Sequence, residues 1–362
     1  MQKVRTAIIG QGRSGRDIHV AALKLMPEMY EIVAIVDPIE LRRRRAQEEL
    51  RCDVYESHRA LFKRKDLDLV INATPSHLHY PITLEVLKKG YNCLCEKPLA
   101  KKAREVDRLI AASQQSGRML AIFQQSRFAP YFEKVREVIA SGVLGRIVQI
   151  SIAFNGFARR WDWQTLQEFN GGNLLNTGPH PLDQALALFG DGMPKILCRM
   201  DRANTYGDAE DYVKLLLWGE GHPVIDLEIS SCCAYPSFTY NVQGTRGGMK
   251  GNTSGMEWKY YRPEEAPPQK LIREPIINPD GTPAYCREQL PWHTGSWAVS
   301  KENADLFATI SGRFYTMLYK RLTTGQPLEI TPEQVRRQIA VIEECHKQNP
   351  HIYVPKKRAA QA

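Results

Sequence analysis

The sequence predicts an α/β protein with an N-terminal doubly wound parallel sheet and a C-terminal α+β domain built on a large open, mostly antiparallel sheet. Up to about residue 125, short apolar runs alternate with helix-like segments, the pattern of parallel strands covered on both faces. Beyond that point, longer strand-like segments show partial period-2 alternation. Because 362 residues are many for one core, we predict two domains, 1–125 and 126–362.

The first domain is predicted to alternate strands and helices throughout. The predicted strands are residues 5–10, 31–37, 53–56, 67–74, 91–98 and 118–125. The predicted helices run from the glycine-rich turn to about Met26 and over 38–50, 80–90 and 102–117. Gly90 is expected to close one of them, because glycine readily adopts the left-handed conformation found at helix ends.

The second domain is predicted to be richer in strands, with helices at its edges. After a helix at 131–142, strands are expected at 146–156, 211–219, 224–234 and 238–245. Residues 246–298 are rich in glycine, proline and aromatic residues, which indicates long loops between short strands. Two helices close the chain, and Thr331, Pro332 and Gln334 form a capping box at the start of the last one. These final helices are free to pack back on the N-terminal domain.

Composition limits the functional classes. The net charge of +9 gathers at 41–45, 62–65 and 355–362, but no zinc-finger, RNP-type or helix-turn-helix motif accompanies it, so no nucleic-acid partner is expected. No apolar run could cross a bilayer and no signal peptide is visible, so we expect a cytoplasmic protein without a membrane partner. The eight cysteines show no CxxC pair and no metal-ligand spacing, which favours reduced thiols and no metal.

The segment GQGRSG (10–15) follows a strand and opens a helix, as a dinucleotide-binding turn does. Gly10 allows the tight turn, Gly12 lets a pyrophosphate approach the backbone, and Gly15 lets helix and strand pack closely. Asp37 ends the second strand, where a carboxylate can bind the adenosine ribose and repel a 2′-phosphate. The arginines at 42–45 could instead pair with that phosphate. We therefore predict NAD as cofactor and leave NADP open.

Two further motifs extend this pattern. Glu96-Lys97-Pro98 follows the segment INATPSHLHY (71–80), and GG-x-x-x-N-x-G-x-H-x-x-D covers residues 171–183. In this order the motifs resemble the Gfo/Idh/MocA family of NAD(P)-dependent sugar and cyclitol oxidoreductases. The resemblance implies an N-terminal Rossmann domain, substrate binding between the domains, and a homo-oligomer, dimer or tetramer, formed through the C-terminal sheet.

The resemblance also implies roles for single residues. The expected cofactor-binding residues are Gly10, Gly12, Arg13, Ser14, Gly15, Asp37, Arg42, Thr74, Pro75, His77, Glu96 and Lys97. Lys97, His180 and Asn176 are implied as catalytic, with His180 as the base. A lysine beside a positively charged nicotinamide loses its proton more easily and can stabilise a developing alkoxide. The family usually has an aspartate where this chain has Asn176, and an amide cannot carry a proton away, so the base role falls more heavily on His180.

The prolines around His180 predict a helix that starts near Thr177, because first-turn N–H groups lack intrahelical partners and proline is tolerated there. The positive end of that helix would keep the imidazole neutral and able to accept a proton. Asp183, three residues later, would either fix the ring tautomer or bind substrate. The simpler alternative is that His180 only caps the helix.

The segment RRWDWQ (159–164) offers tryptophan faces for the C–H faces of a sugar, although core packing remains the alternative for one tryptophan. His293 in a second aromatic loop (290–297) could come from a neighbouring subunit. The predicted substrate-binding residues are Lys97, Arg159, Trp161, Trp163, Asn176, His180 and Asp183.

The predicted function is hydride transfer between nicotinamide and a secondary hydroxyl of a sugar, glycoside or cyclitol. One alternative is a glycosidase-like enzyme that retains NAD and uses transient oxidation to permit elimination. Another is a non-catalytic sensor of nucleotide or sugar.

Overall fold

The computed structural model describes residues 2–353, so the basic segment 355–362 lies outside the described residues. The first domain is a six-stranded parallel sheet in the order β3-β2-β1-β4-β5-β6, which is the strand order of a Rossmann fold. Its strands are β1 (Val4–Ile9), β2 (Tyr30–Val36), β3 (Asp53–Tyr55), β4 (Leu69–Asn72), β5 (Cys93–Cys95) and β6 (Leu120–Ile122). The predicted doubly wound parallel sheet is confirmed.

Helices cover both faces of this sheet, and the first begins in an unexpected form. Residues Ser14–Val20 wind as a π-helix before the chain continues as α1 (Ala21–Lys24). The following helices are α2 (Glu40–Leu50), α3 (His79–Lys88), α4 (Ala103–Ser116) and, after β6, α5 (Pro130–Ala140). Gly90 has a φ of +83°, so it adopts the left-handed conformation expected just after α3.

The second domain contains an eight-stranded sheet in the order β14-β13-β12-β11-β7-β10-β9-β8. Its strands are β7 (Ile147–Asn155), β8 (Lys195–Asp201), β9 (Tyr212–Trp218), β10 (Val224–Ser230), β11 (Tyr240–Gly244), β12 (Gly247–Gly251), β13 (Gly255–Tyr260) and β14 (His293–Ala298). Only β7 and β10 pair in parallel, so the predicted mostly antiparallel sheet is confirmed. The strand β8 was not predicted.

One face of the large sheet is covered and the other is open. Along β9 every second side chain is buried, and α7 (Pro179–Phe189) and α9 (Pro332–Gln348) pack on the covered face. The short helix α6 (Asn173–Asn176) precedes α7. Thr331 and Gln334 form the predicted capping box at the start of α9.

The last two helices also contact the first domain. On α8 (Leu306–Thr324), the carbonyl of Tyr315 accepts a 2.8 Å hydrogen bond from the hydroxyl of Tyr30 in β2. On α9, Glu343 accepts a 3.0 Å hydrogen bond from the backbone N–H of Ala103. No helix within residues 2–353 is long and apolar enough to cross a membrane.

Candidate functional site

The glycine-rich turn leaves one stretch of backbone accessible. Gly10 has a φ of +99°, and a Cβ on Gly15 would lie 1.8 Å from the Gly10 carbonyl oxygen, so both glycines are required by the turn itself. At Gly12, by contrast, the nearest atom to a Cβ would be Nη1 of Arg42 at 4.0 Å. The backbone at Gly12 therefore faces the open space that a pyrophosphate needs, and the residues present fit a dinucleotide.

Asp37 is buried at the end of β2 beside this turn. Its carboxylate accepts hydrogen bonds from the backbone N–H of Gln11 at 2.7 Å and of Ile39 at 2.9 Å, and Nη1 of Arg42 lies 3.4 Å away. These donors fix the orientation of the carboxylate, and its remaining lone pairs can accept ribose hydroxyls. Since Arg42 is already paired with Asp37, this geometry favours a ribose diol over a 2′-phosphate.

The loops after β4 and β5 are tied together by His79, which sequence reasoning missed. Its Nδ1 lies 2.7 Å from the carbonyl oxygen of Pro98, and its Nε2 lies 2.8 Å from that of Thr74. The neighbouring ring of His77 packs edge-on against Phe169 of the second domain, with centroids 4.9 Å apart. The predicted cofactor segments 74–77 and 96–98 therefore form one unit.

Lys97 reaches from the first domain to the second. Its Nζ donates a 3.0 Å hydrogen bond to the backbone carbonyl of Asn176. Burial lowers the pKa of Lys97; the charge of Glu96 opposes this shift, and Arg13 and Arg160 add to it. The amine is thus held at the junction of the domains and loses its proton more easily than a surface lysine.

The side chain of Asn176 is oriented by Gln164, a second residue that sequence reasoning missed. Nε2 of Gln164 donates a 3.0 Å hydrogen bond to Oδ1 of Asn176, while Oε1 of Gln164 accepts from Arg160. Because Oδ1 of Asn176 is engaged in this way, its amide NH2 group is the end available to a substrate oxygen.

His180 lies in the first turn of α7, whose N-cap is Gly178, so the helix starts near Thr177 as predicted. Burial lowers the pKa of His180 to about 3, with the charge of Lys97 adding to the shift and that of Glu96 opposing it. The ring is therefore neutral near neutral pH, mainly because of burial and not of the helix dipole alone. Its Nδ1 lies 3.1 Å from the hydroxyl of Ser126.

The structure speaks against one of the two roles expected of Asp183, that of fixing the tautomer of His180, whereas substrate binding stays a prediction. Both of its carboxylate oxygens accept from Arg127, at 2.5 and 2.7 Å, and the side chain is buried. Ser126, and not Asp183, contacts the imidazole of His180. Asp183 therefore anchors α7 to the segment after β6 and makes no hydrogen bond to the ring of His180.

The backbone next to His180 is also fixed. The carbonyl of Pro179 accepts from Nε2 of Gln124 at 3.2 Å and from Nε2 of Gln338 at 2.5 Å. Gln124 follows β6 and Gln338 belongs to α9, so two separate elements hold the start of α7. Gln124, Gln338 and Pro179 are all buried, and a polar atom left unpaired there would be costly.

The predicted aromatic segment is only partly brought to the site. Trp161 is 82% exposed and Arg159 is also exposed, and neither has a hydrogen bond or ion pair to Lys97 or His180. Trp163 packs edge-on against Phe169, with centroids 6.3 Å apart. Trp163 therefore shares Phe169 as a neighbour with His77 of the predicted cofactor segment, whereas Trp161 lies in solvent.

A cavity of about 550 Å³ in the second domain is lined in part by Asn173 and Thr177, on either side of Asn176 in the chain. Arg160, Asn173 and Thr177 line its side toward Asn176, and Phe154 and Phe238 contribute apolar walls. Hydroxyl and amide groups complete it, namely Asn155, Ser230, Ser231, Ser237, Thr239, Asn252 and Thr253. Such a mixture of apolar and hydroxyl-bearing walls suits a polyhydroxylated ligand.

Buried Glu210 supports the segment that carries Asn176. Its Oε1 accepts a 2.8 Å hydrogen bond from the N–H of Leu174, its backbone carbonyl accepts from Asn173, and its Oε2 contacts the hydroxyl of Tyr353. Gly172 has a φ of +109°, and a Cβ there would lie 2.4 Å from the carboxylate. The second glycine of the GG pair thus allows this close approach.

Comparison with known proteins agrees with this geometry. Residues 4–124 match the model of an oxidoreductase family with an NAD-binding Rossmann fold, and residues 132–250 match the GFO/IDH/MocA C-terminal domain. The first domain is therefore an NAD-binding Rossmann domain.

Two curated relatives have assigned activities. The chain is 29% identical over 261 residues to 2,7-anhydro-N-acetylneuraminate hydratase of Mediterraneibacter gnavus, which covers 69% of this chain and 67% of the relative. It is 28% identical over 225 residues to scyllo-inositol 2-dehydrogenase (NADP(+)) of Bacillus subtilis, covering 59% of each.

Among solved structures, the fold resembles the WlbA dehydrogenase of Bordetella pertussis, determined in complex with NADH and UDP-GlcNAcA. The TM-score is 0.79 over 97% of this chain and 96% of that one. At 19% sequence identity this similarity concerns the fold alone.

Gly12→Ala should weaken NAD binding at least about tenfold, because the added methyl group occupies the space through which the pyrophosphate approaches the backbone. Since no atom lies closer than 4.0 Å to the new Cβ, the unfolding free energy should change little. Isothermal titration with NAD and denaturant unfolding measure both quantities. Gly312→Ala, at another glycine with open space around it, is the control and should bind NAD normally. Equal affinity in Gly12→Ala would contradict the placement of the pyrophosphate.

Glu210→Gln should change how stability depends on pH. Burial raises the pKa of Glu210 to about 7, with hydrogen bonds from Tyr353 and Leu174 opposing the shift. Between about pH 4.5 and 7 the Glu210 carboxyl therefore keeps its proton in the folded protein but has lost it in the unfolded chain. The stability of the wild-type protein falls as the pH rises through this range. The loss relative to Glu210→Gln should reach about 3 kcal/mol. Denaturant unfolding across this range checks it, with the exposed Glu264→Gln as control. A constant difference at all pH values would refute the assignment.

Proposed function

Because the chain belongs to the Gfo/Idh/MocA family of oxidoreductases, we propose that it transfers a hydride between nicotinamide and a secondary hydroxyl of a sugar, glycoside or cyclitol. The observation that carries this proposal is the hydrogen bond between Lys97 Nζ and the Asn176 carbonyl. It brings the amine that follows Glu96 to the segment that leads into His180. A hydroxyl bound there meets an amine, an amide and a neutral imidazole.

In this proposal each side chain has a separate task. The turn at Gly12 and the carboxylate of Asp37 would hold NAD, which would supply the hydride acceptor. His180 removes the hydroxyl proton, because its ring is neutral at neutral pH and has a nitrogen lone pair that can accept it. Lys97 donates to the hydroxyl oxygen and stabilises negative charge as the proton leaves. The NH2 group of Asn176 binds a neighbouring oxygen, and Ser126 orients the imidazole through Nδ1.

The size of the cavity beside Thr177 supports a substrate larger than one small alcohol. Its volume of about 550 Å³ falls within the range of small-molecule sites. Its hydroxyl and amide groups can pair with several substituents of a ring, while Phe154 and Phe238 can contact C–H faces. This supports a sugar, a glycoside or a cyclitol as the substrate class.

A second candidate is transient oxidation followed by elimination or addition of water, with NAD retained. The observation in its favour is the similarity to an anhydroneuraminate hydratase, since hydration causes no net oxidation. The same base and the same amine would serve both reactions. The difference lies in whether reduced cofactor leaves the enzyme.

We also propose that the open face of the large sheet joins subunits into a homo-oligomer, a dimer or a tetramer. Leu197, Trp218 and Val224 expose apolar side chains on its strands. Apolar groups in one neighbourhood of a surface are typical of protein interfaces.

Incubation of the purified protein with NAD and a panel of sugars, glycosides and inositols tests the proposal. Net formation of reduced nicotinamide, followed by its absorbance, is expected for the dehydrogenase. Product formed without net reduced cofactor, and with NAD remaining on the protein, would support the second candidate instead. Binding of the panel with no chemical change would contradict both and indicate a sensor.

His180→Ala should lower kcat by about 10²–10⁴ because a positioned general base is lost. NAD affinity should hardly change, since the predicted cofactor residues are untouched. Steady-state kinetics and NAD titration measure the two effects. His58→Ala removes a partly exposed histidine paired with Glu85 and serves as control. A fully active His180→Ala protein would remove the base assignment.

A further inference from the structure

Three buried polar side chains, Tyr315, His19 and Glu96, form a row that ends next to Lys97. Nδ1 of His19, in the π-helical turn, lies 2.6 Å from the hydroxyl of Tyr315 on α8. Nε2 of the same ring lies 3.3 Å from Oε1 of Glu96, which follows β5. His19 and Glu96 are 0% and 4% exposed, so water does not separate them from one another.

The chemistry of this row fixes the tautomer of His19. Burial raises the pKa of Tyr315 well above its ordinary value, so the phenol stays protonated. Its hydroxyl can then donate a hydrogen bond to Nδ1 of His19. With Nδ1 as acceptor, the ring carries a proton on Nε2. That nitrogen has no hydrogen-bond partner of good geometry within residues 2–353, and the carboxylate of Glu96 is the acceptor it faces.

We propose that His19 is a positioning residue that holds the Glu96 carboxylate ionised beside Lys97 and so sets the electrostatic field in which Lys97 and His180 act. The consequence for catalysis rests on the proposed function, whereas the effect on the charge state of Lys97 does not. Neither His19 nor Tyr315 belongs to the sequence motifs that predict the site.

The path from Glu96 to the catalytic pair is electrostatic. Burial alone would raise the pKa of Glu96, but the His19 ring and the charges of Lys97 and His79 lower it to about 2. The negative charge in turn raises the pKa of Lys97 and of His180 against the effect of burial. The titratable groups that interact with Glu96 are His19, His79, Cys95, Lys97, His180 and Tyr315.

The local backbone explains how His19 comes to face inward. The π-helix Ser14–Val20 has wider turns than an α-helix, which changes the direction of the side chains that follow the glycine-rich turn. The ring of His19 then packs against Phe123, with centroids 4.6 Å apart, and is fixed from α8 by Tyr315. Three elements thus determine the position of one imidazole.

The test measures the charge state of Lys97 without any reaction of substrate. The full-length protein is treated with an acetylating reagent over a range of pH, and modification of Lys97 is quantified by mass spectrometry. In His19→Phe, Glu96 loses its donor and burial makes it protonate more easily, so Lys97 should release its proton at lower pH. Labelling of Lys97 at neutral pH should rise roughly tenfold, the effect of one pKa unit. His19→Gln, which can place an amide N–H near Glu96, should restore most of the wild-type curve.

Two further variants decide between positioning and general damage. Glu96→Gln should shift the Lys97 curve in the same direction as His19→Phe, and the double variant should shift it no further. If the two shifts add, or if His19→Phe labels as wild type does, the inference is overturned. Should His19→Phe fail to fold, Tyr315→Phe replaces it with a smaller expected shift in the same direction, and an unchanged curve there overturns the inference. His222→Gln, at a ring that contacts Phe189 instead, is the control.

NAD titration and the pH dependence of kcat/KM complete the comparison. His19→Phe should move both limbs of the kcat/KM profile to lower pH, because losing the negative charge at Glu96 lowers the pKa of His180, which must be neutral, and of Lys97, which donates to the hydroxyl oxygen. A chain that shows the labelling shift but no dehydrogenase activity would leave the inference standing and contradict the proposed function. Normal dehydrogenase activity of the wild-type protein, with no shift of the labelling curve in His19→Phe, would support the proposed function and overturn the inference.

Discussion

The hydrogen bond from the Lys97 ammonium to the Asn176 carbonyl is the contact on which the site depends. A partly buried ammonium is costly to leave without an acceptor, and this acceptor belongs to the other domain. The ammonium of Lys97 therefore has this acceptor only when the two domains lie as they do here. The amide of Gln124, which donates to the Pro179 carbonyl, is a second hydrogen bond between the same two domains.

Much of the fold could be predicted because it is encoded locally. The parallel strands are continuous apolar runs, and the capping box at Thr331 and the left-handed glycine after α3 are signals of a few residues. The strand Lys195–Asp201 was missed because its buried positions are Cys198 and Met200, which are not among the β-branched and aromatic residues typical of strands. The π-helical turn was missed for a different reason, since its sequence resembles that of an ordinary helix start.

The site was predictable to the extent that motifs carry it. The glycine turn, Asp37 and Lys97 occupy positions that suit a dinucleotide and an adjoining hydroxyl, although the roles of these residues stay predictions. The partners that orient them could not be found from spacing. Gln164 and Ser126 are separated from the groups they contact by 12 and 54 residues, and their type alone carries no signal. Asp183 shows the converse: its spacing from His180 predicted that it could orient the ring, but its carboxylate is paired with Arg127.

The contact between Glu210 and Tyr353 joins groups 143 residues apart in the chain. Ile352 adds a second tie, because its carbonyl accepts a 3.0 Å hydrogen bond from Gln167. During synthesis the nucleotide-binding half has left the ribosome long before these late residues appear. Because Tyr315 on α8 also contacts His19 and Tyr30 of the first domain, neither half has all of its contacts until the C-terminal helices are made. Fusions or deletions placed near Tyr353 would act on the reacting groups from a part of the chain that touches none of them.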